Sequence, residues 1–307
     1  MKKITDRIEN KLNTPGLIDR LVSGLSNSDL NSFYMELFRK QCQSLTPSDV
    51  LKQYENSRFV TPSEIDAVTF HEFEIEWLKY AKEIGFLPIQ LSPLALLGTC
   101  SVAARVDQNN IVSATRSTEV LSDATNVLAL QVAGDFKIDR SKRNIRYCTS
   151  NRNTRAQYFS NPAFTAHFGV FNMVTGGYDR GGFEFELENI IHHLRFYYER
   201  LQQDFSNDLI LKIHRKIDND VFESKLINSI ESILDGVKIV KDESDNTDDY
   251  YQTVRIKISV KHGEQEIHIV DMGFVDWTQK LLNNKKQRLL TSGAGLELLL
   301  KIKSGLI

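Results

Sequence analysis

The chain has 307 residues, of which 41% are apolar and 25% charged, and this composition is typical of a globular protein with a sizeable core. The formal net charge of -2 excludes the strong basic field of most high-affinity nucleic-acid-binding proteins, so we do not expect tRNA to be a partner. The cysteines are widely scattered and form no CxxC pair, which argues against a zinc site or a disulfide framework.

Residues 1–60 are predicted to form a helical N-terminal extension of the main body, which spans residues 61–307. Apolar residues recur there at helical spacing, and Ser28-Asp29 and Thr46-Pro47 are typical of helix starts. The first residues, MKKITDRIENKLN, carry charges throughout and contain no apolar run, so no signal peptide is expected. We therefore expect a soluble, cytoplasmic protein that does not enter a membrane.

The main body is predicted to begin with a helix over residues 71–84 and a strand over residues 86–94. The apolar stretch that follows is interrupted by proline and glycine and is too short to span a bilayer. Residues 102–114 predict a strand and a turn. Residues 125–133 predict a helix with Asp123 as its N-cap, and capping alone would account for that aspartate.

Residues 146–177 predict a hairpin whose loop is marked by Ser160-Asn161-Pro162. Its first arm ends at Arg155 with Gln157 two residues on, and its second arm carries His167 and Phe171. A guanidinium, an amide, an imidazole and an exposed ring on one hairpin could hold a nucleotide. The same pattern also fits an ordinary hairpin with a solvated arginine and a core phenylalanine.

The second half alternates further helices and strands. It predicts a long helix over residues 186–203, a strand over 208–216, a helix over 221–234, and an acidic loop over 241–249. Two alternating strands turn at His262-Gly263, a glycine turn at Gly273 leads into a short helix, and the last strand leads into a C-terminal helix. This mixture predicts an α+β fold with a mostly antiparallel sheet.

Six pieces of the chain resemble, in order, the catalytic core of class II aminoacyl-tRNA synthetases, and within that family histidyl-tRNA synthetase and its paralogues. The helix and strand over residues 71–94 are similar to the first motif. Arg155-Ala156-Gln157 resembles the second motif's Arg-x-Glu, with Gln in place of Glu, and residues 167–171 resemble its His/Arg-x-x-x-Phe. Residues 293–297 resemble the glycine-rich third motif. The resemblance implies a six- or seven-stranded antiparallel sheet flanked by helices, and a homodimer formed through the first motif.

The resemblance also implies two binding sites. Arg155, Gln157, His167 and Phe171 would bind ATP, with Arg155 as the catalytic residue. Asp123-Ala124-Thr125 resembles the family's contacts to the amino-acid amine, Tyr250-Tyr251 its paired tyrosines, and residues 273–276 its Gly-Arg-Tyr-Asp turn. The residues implied to bind a small amino acid are Asp123, Thr125, Tyr250 and Tyr251.

Several positions depart from the family pattern. The third-motif arginine, which grips ATP phosphates in the family, is replaced by Leu298. The arginine before the tyrosine pair falls on Asn246, and the arginine of the turn falls on Phe274. Met173 and Gly177 stand where the family selects a histidine side chain. No anticodon-binding domain is expected after residue 307, so we do not expect the charging of tRNA with histidine.

The chemistry of adenylation would ask for further cations and for Mg²⁺. Arginines that could replace the missing ones are Arg116, Arg152 and Arg288. The metal ligands are unknown, and the carboxylates that could serve are Glu184, Glu186 and Glu297.

Two functional hypotheses stay open beside a third, a stand-alone tRNA-binding protein, which the charge balance disfavours. The first is a synthetase-like ligase that binds ATP with Mg²⁺ and a small amino acid other than histidine, and forms an aminoacyl adenylate. The second is a paralogue without catalysis that acts on a protein partner as a regulatory or scaffolding subunit, like the regulatory subunit of ATP phosphoribosyltransferase. The retained second motif favours the first hypothesis, and the missing arginines favour the second.

Overall fold

The computed structural model describes residues 2–158, 165–205, 209–234, 237–242 and 250–307, and their side chains from residue 4 onward. The predicted hairpin loop at Ser160-Asn161-Pro162 and the predicted departure at Asn246 lie outside these residues. Within them the helices are α1 (Lys2–Lys11), α2 (Leu17–Gly24), α3 (Asn27–Gln43), α4 (Pro47–Asn56), α5 (Ala67–Glu83), α6 (Ala124–Ile138), α7 (Glu184–Phe205), α8 (Asp220–Glu231), α9 (Trp277–Leu282) and α10 (Leu296–Lys303).

The strands of the same residues form one large sheet and one small sheet. They are β1 (Leu87–Pro88), β2 (Leu94–Leu96), β3 (Ser113–Ala114), β4 (Thr118–Val120), β5 (Asn144–Thr154), β6 (His167–Tyr178), β7 (Leu209–Arg215), β8 (Lys238–Lys241), β9 (Val254–His262), β10 (Gln265–Val275) and β11 (Gln287–Ala294). The large sheet has the order β1-β5-β6-β11-β10-β9-β7-β8, and the small one β2-β4-β3. The six central strands of the large sheet are antiparallel, and β1 and β8 join its two edges in parallel. The predicted α+β fold is therefore confirmed, and the large sheet has eight strands in the described residues instead of the six or seven expected, because the short strands β1 and β8 extend its two edges.

The two faces of the large sheet bury different sets of side chains, because successive residues of a strand point to opposite faces. Phe171 and Met173 of β6 pack in the larger core with α5 and α7, where Trp77 is fully buried. Val174 of β6 packs in a second core with α6, α9 and Trp277. The second face therefore lies under α6 and α9.

Four predicted elements differ from the structure. Helix α5 begins at Ala67 rather than at residue 71, because the Asp66 side chain accepts a hydrogen bond from the Thr69 N–H and caps the helix there. The strand predicted over residues 86–94 is reduced to the two residues of β1. The glycine turn predicted at Gly273 is wrong: this glycine lies inside β10, where the Tyr251 ring packs so closely that a β-carbon would be 2.4 Å from it.

The strand predicted from residue 102 is also wrong. The chain there forms a π-helical turn, Thr99–Ala103, and a 3-10 turn, Gln108–Asn110. The cause is Glu119, a fully buried carboxylate of β4 that accepts hydrogen bonds from the N–H groups of Gly98 (2.9 Å) and Cys100 (3.1 Å). The predicted helix with Asp123 as its N-cap is confirmed as α6.

Helices α1–α4 form the N-terminal part, and no described side chain of α2, α3 or α4 is buried. Hydrogen bonds attach this part to the main body: Asn31 exchanges hydrogen bonds with Ser117, and Arg58 donates to the carbonyls of Ala156 and Gln157. The boundary at residue 60 stays a prediction. No helix in the described ranges combines the length and apolar character needed to cross a bilayer.

A polar network is buried beneath the sheet at His193 of α7. Its ring nitrogens lie 2.9 Å from the Thr175 hydroxyl and 2.8 Å from the Ser292 hydroxyl, which also accepts a hydrogen bond from Tyr197. Burial lowers the pKa of His193 well below its usual 6.5, so the folded protein keeps this imidazole neutral.

This burial predicts a pH dependence of stability. Below about pH 6.5, His193 binds a proton in the unfolded chain but stays neutral in the folded protein. The free energy of unfolding should therefore fall by up to about 1.4 kcal/mol for each pH unit of acidification. The contribution of neutral His193 to stability is fully present above that pH and is lost as the pH falls. Urea denaturation between pH 8 and 5 measures the decline, and His193→Gln should flatten it although it lowers stability at pH 8. An unchanged slope in that variant, with the exposed His71→Gln as control, would contradict the assignment.

Candidate functional site

A cavity of about 680 Å³ opens on the second face of the sheet, within the size range of small-molecule sites. Strands β6, β9, β10 and β11, the start of α6, and α10 all contribute to its wall. The predicted site residues that line it are Asp123, Thr125, Arg155, Gln157, Tyr250 and Tyr251. Residues more than 100 positions apart in the sequence are thus brought into one site.

Arg155 directly follows β5, where its N–H donates to the Ala166 carbonyl (2.8 Å). Its guanidinium lies over the ring of Phe168, 5.4 Å from the ring centroid. Within the described part of the chain no carboxylate pairs with this guanidinium. Arg155 is therefore a cation free to meet an anion, supported by an aromatic face.

The prediction that Phe171 offers a ring to adenine is wrong. Phe171 is fully buried on the opposite face of β6, with its ring centroid 5.2 Å from Phe196 and 5.4 Å from Trp77. Phe171 is therefore the core phenylalanine of the alternative interpretation, in which the hairpin has no role in nucleotide binding. The ring that lines the cavity is Phe168, three residues earlier and hence on the other face of the strand.

His167 also lies outside the cavity. Its ring nitrogens contact the Thr61 carbonyl (2.7 Å) and Arg152 (2.9 Å), and it lines a neighbouring depression with Pro62 and Phe70. His167 therefore does not line the same cavity as Arg155, because residues 167 and 168 point to opposite faces of β6, and its contact with a nucleotide stays a prediction.

Asp123 has two structural roles at the edge of the cavity. One carboxylate oxygen caps α6 by accepting hydrogen bonds from the Thr125 N–H (2.9 Å) and hydroxyl (2.7 Å). The other accepts from the Tyr250 hydroxyl (3.2 Å). Burial and the nearby Asp123 charge raise the pKa of Tyr250, so the phenol stays a donor. A negative charge held this way can receive an ammonium group.

Sequence reasoning missed the charged pair on the cavity floor. Arg255 of β9 and Asp271 of β10 form two hydrogen bonds, of 3.0 and 2.7 Å, and the Arg255 guanidinium lies 5.4 Å from the Tyr251 ring centroid. Burial lowers the pKa of the neighbouring His268. The signal that could have found the pair is their opposite charge near opposing positions of a predicted hairpin.

The three carboxylates considered for Mg²⁺ do not come together. Glu184 is exposed, Glu186 pairs with Arg288 (2.8 Å), and only Glu297 lines the cavity. Among the residues with described positions, no group of three acidic, histidine or cysteine side chains could hold a metal ion. The described side chains therefore do not by themselves form a binding site for a resident Mg²⁺.

The candidate replacement arginines do not reach the cavity either. Arg116 is exposed in the turn between β3 and β4, Arg152 pairs with Glu297 (2.9 Å), and Arg288 pairs with Glu186 and Asp179. Burial raises the pKa of Cys100, the cysteine in the cavity wall, to about 12, so it does not act as a thiolate nucleophile.

Comparison with solved structures identifies the fold. Histidyl-tRNA synthetase from S. aureus superposes with a TM-score of 0.61 at 12% identity, over 80% of this chain and 69% of that one. An ATP phosphoribosyltransferase regulatory subunit/histidyl-tRNA synthetase from Bacillus halodurans gives 0.61 at 12% identity, over 80% and 82%. Pyrrolysyl-tRNA synthetase from Desulfitobacterium hafniense superposes with a TM-score of 0.52 at 14% identity, over 84% of this chain and 75% of that one. No family model and no curated protein matches the sequence. The chain thus has the class II aminoacyl-tRNA synthetase fold, as the sequence motifs predicted.

Proposed function

We propose that this chain, which has the class II synthetase fold, binds ATP and a small amino acid other than histidine in its cavity and joins them as an aminoacyl adenylate. The observation that carries the proposal is the convergence of Arg155, Asp123 and Tyr250 in one cavity. The Arg155 guanidinium, with which no carboxylate of the described residues pairs, suits a phosphate, and the Asp123 carboxylate, which caps α6, suits an ammonium. The two charges therefore match the two ends of the proposed reaction.

In the proposed reaction a carboxylate oxygen of the amino acid attacks the α-phosphorus of ATP. The new bond joins that oxygen to phosphorus, the bond to the β-phosphate oxygen breaks, and pyrophosphate leaves. Arg155 would contact the phosphate on which negative charge builds, with the Phe168 face beside adenine. Asp123 would hold the ammonium, with Thr125, Tyr250 and Tyr251 around it.

Amino-acid-dependent exchange of pyrophosphate into ATP tests the proposal. Exchange driven by one of the twenty common amino acids would support it, and a thermal-shift screen of the same compounds would identify the ligand. A ligand at a hundred times its dissociation constant adds about 2.7 kcal/mol of stability. Absence of exchange with all twenty, together with no shift from ATP, would overturn the proposal.

Arg155→Gln should weaken ATP binding by about 30-fold, or about 2 kcal/mol, because a charge-assisted bond to phosphate is lost. Isothermal titration calorimetry measures the change. The matched control is Arg39→Gln, an exposed arginine of α3 whose partner is Glu36. Equal ATP affinity in the two variants would place the phosphate elsewhere.

A second candidate is a regulatory or scaffolding subunit that keeps the ligand site without reaction. The observation that favours it is the loss of family arginines at Leu298, which lines the cavity, and at Phe274, which is buried. One structural relative is itself described as a regulatory subunit/synthetase. Binding of ATP or amino acid without pyrophosphate exchange, and a partner enzyme whose activity changes on addition of this chain, would favour this candidate.

A homodimer is part of the proposal. Helix α5 and β1 correspond to the family's dimer motif, and Val68, Ile75 and Leu87 are exposed apolar side chains of these two elements. Sedimentation equilibrium should give twice the mass of the chain. A monomer at all concentrations would contradict the proposal of a homodimer.

A further inference from the structure

We propose that Lys301, a residue with no assigned role, binds the polyphosphate tail of the nucleotide. The proposal rests on the proposed function, because it adds a residue to the same ATP site. Lys301 lies one helical turn after Leu298 on α10, so it can present a cation to the region of the cavity where Leu298 has none.

Lys301 is buried to an unusual degree for a lysine. Only 4% of its surface is exposed, yet it lines the cavity. Lysines are almost never buried this far without an ion-pair partner. No carboxylate or side-chain acceptor in the described part of the chain contacts its ammonium group.

The expected partner of Lys301 is already engaged. Glu297 precedes it by four residues on α10, the spacing at which opposite charges on a helix pair. The Glu297 carboxylate instead receives Arg152 (2.9 Å), the Ser63 hydroxyl (2.6 Å) and the Gly169 N–H (3.1 Å). These three donors hold the carboxylate, so Glu297 does not serve as the counter-charge of the lysine, and no other carboxylate among the described residues does.

The other charges of the cavity show which kind of ligand would supply that counter-charge. Arg255 is bonded to Asp271, and Asp123 is bonded to Tyr250 and Thr125. Lys301 and Arg155 are the cations in the wall that the described residues leave without a carboxylate. Two such cations favour a ligand with several negative charges, because a buried charge without a partner is costly. A polyphosphate has that property, whereas a single carboxylate could neutralise only one of them.

The test compares Lys301→Met with wild type by calorimetry, using ATP, AMP and adenosine as ligands. Methionine keeps the apolar stem and removes the charge. ATP should bind at least tenfold more weakly, AMP should change less, and adenosine should stay within twofold. Lys301→Arg should restore ATP binding to within about threefold of wild type. The control is Lys303→Met on the same helix, where the lysine pairs with Asp204 outside the cavity.

The outcomes separate this inference from the proposed function. If Lys301→Met and wild type bind ATP with equal affinity, the role of Lys301 is overturned, while the proposal of an ATP site is unaffected. Equal losses for ATP and adenosine would assign Lys301 a merely structural role and overturn the inference. Wild type that binds none of the three ligands would overturn both.

Thermal unfolding without ligand gives a second, independent readout. Since none of the residues that the structure describes pairs with the Lys301 ammonium, Lys301→Met should melt at the same temperature as wild type or higher. Adding ATP should then raise the melting temperature of wild type more than that of the variant. A ligand-free variant that melts well below wild type, while Lys301→Arg does not, would show that the charge serves folding and would overturn the inference.

Discussion

Phe171→Ala should lower the free energy of unfolding by about 3–5 kcal/mol, the cost of deleting a large aromatic side chain from a packed core. The ring is fully buried between Trp77 and Phe196, which cannot close the space that its removal leaves. Urea denaturation followed by tryptophan fluorescence measures the loss. Any protein that still folds should bind ATP with unchanged affinity, because the ring does not reach the cavity.

Phe168→Ala is the matched counterpart on the other face of the same strand. It removes a half-buried ring against the Arg155 guanidinium, so we expect a much smaller loss of stability and a clear loss of ATP affinity. The two variants should therefore show opposite patterns. If Phe171→Ala weakened ATP binding at full stability, the assignment of the two faces would be wrong.

Asp123→Asn should weaken amino-acid binding by about 100-fold, or about 2.8 kcal/mol, because a charged hydrogen bond to the ligand ammonium is lost. Asparagine is as good an N-cap as aspartate, so α6 should keep its start and the protein its stability. The measurement is a thermal-shift and calorimetric comparison of variant and wild type with the same twenty amino acids.

The control for this change is Asp66→Asn. Asp66 caps α5 with the same pair of bonds, to the N–H and the hydroxyl of a threonine two or three residues on, but lies outside the cavity wall. The two variants should have equal stability and differ only in ligand affinity. Equal affinity, or a large loss of stability in Asp123→Asn alone, would mean that Asp123 serves only as a cap.

The sequence predicted the fold better than the direction of individual side chains. Motif order and alternation were sufficient for the central strands, and Asp123 was found because its cap pattern is local. The ring facing the cavity was misassigned because, with an unknown loop length, the sequence does not determine which residues of the second strand point to which face of the sheet. Phe168 and Phe171 fit the apolar pattern equally well. Only pairing to β5 and β11 settles which of them meets α5 and α7.

The rest of the site depends on contacts between distant segments. Lys301 fits the pattern of an ordinary residue of an amphipathic helix, and the engagement of its i−4 neighbour Glu297 depends on Arg152 and Ser63, which lie far away in the sequence. No local pattern carries that information. Arg116 and Arg288 were considered for their charge alone. In the structure Arg116 lies in an exposed turn, and Arg288 pairs with Glu186 of α7.

The hydrogen bonds from Arg58 to the carbonyls of Ala156 and Gln157 have a practical consequence. They fix the backbone directly beside Arg155, so the segment before the sheet helps to set the mouth of the cavity. Trimming the protein to a minimal version that starts at Thr61 would remove this restraint. Ligand affinities measured on such a shortened form would describe a looser entrance than that of the full chain.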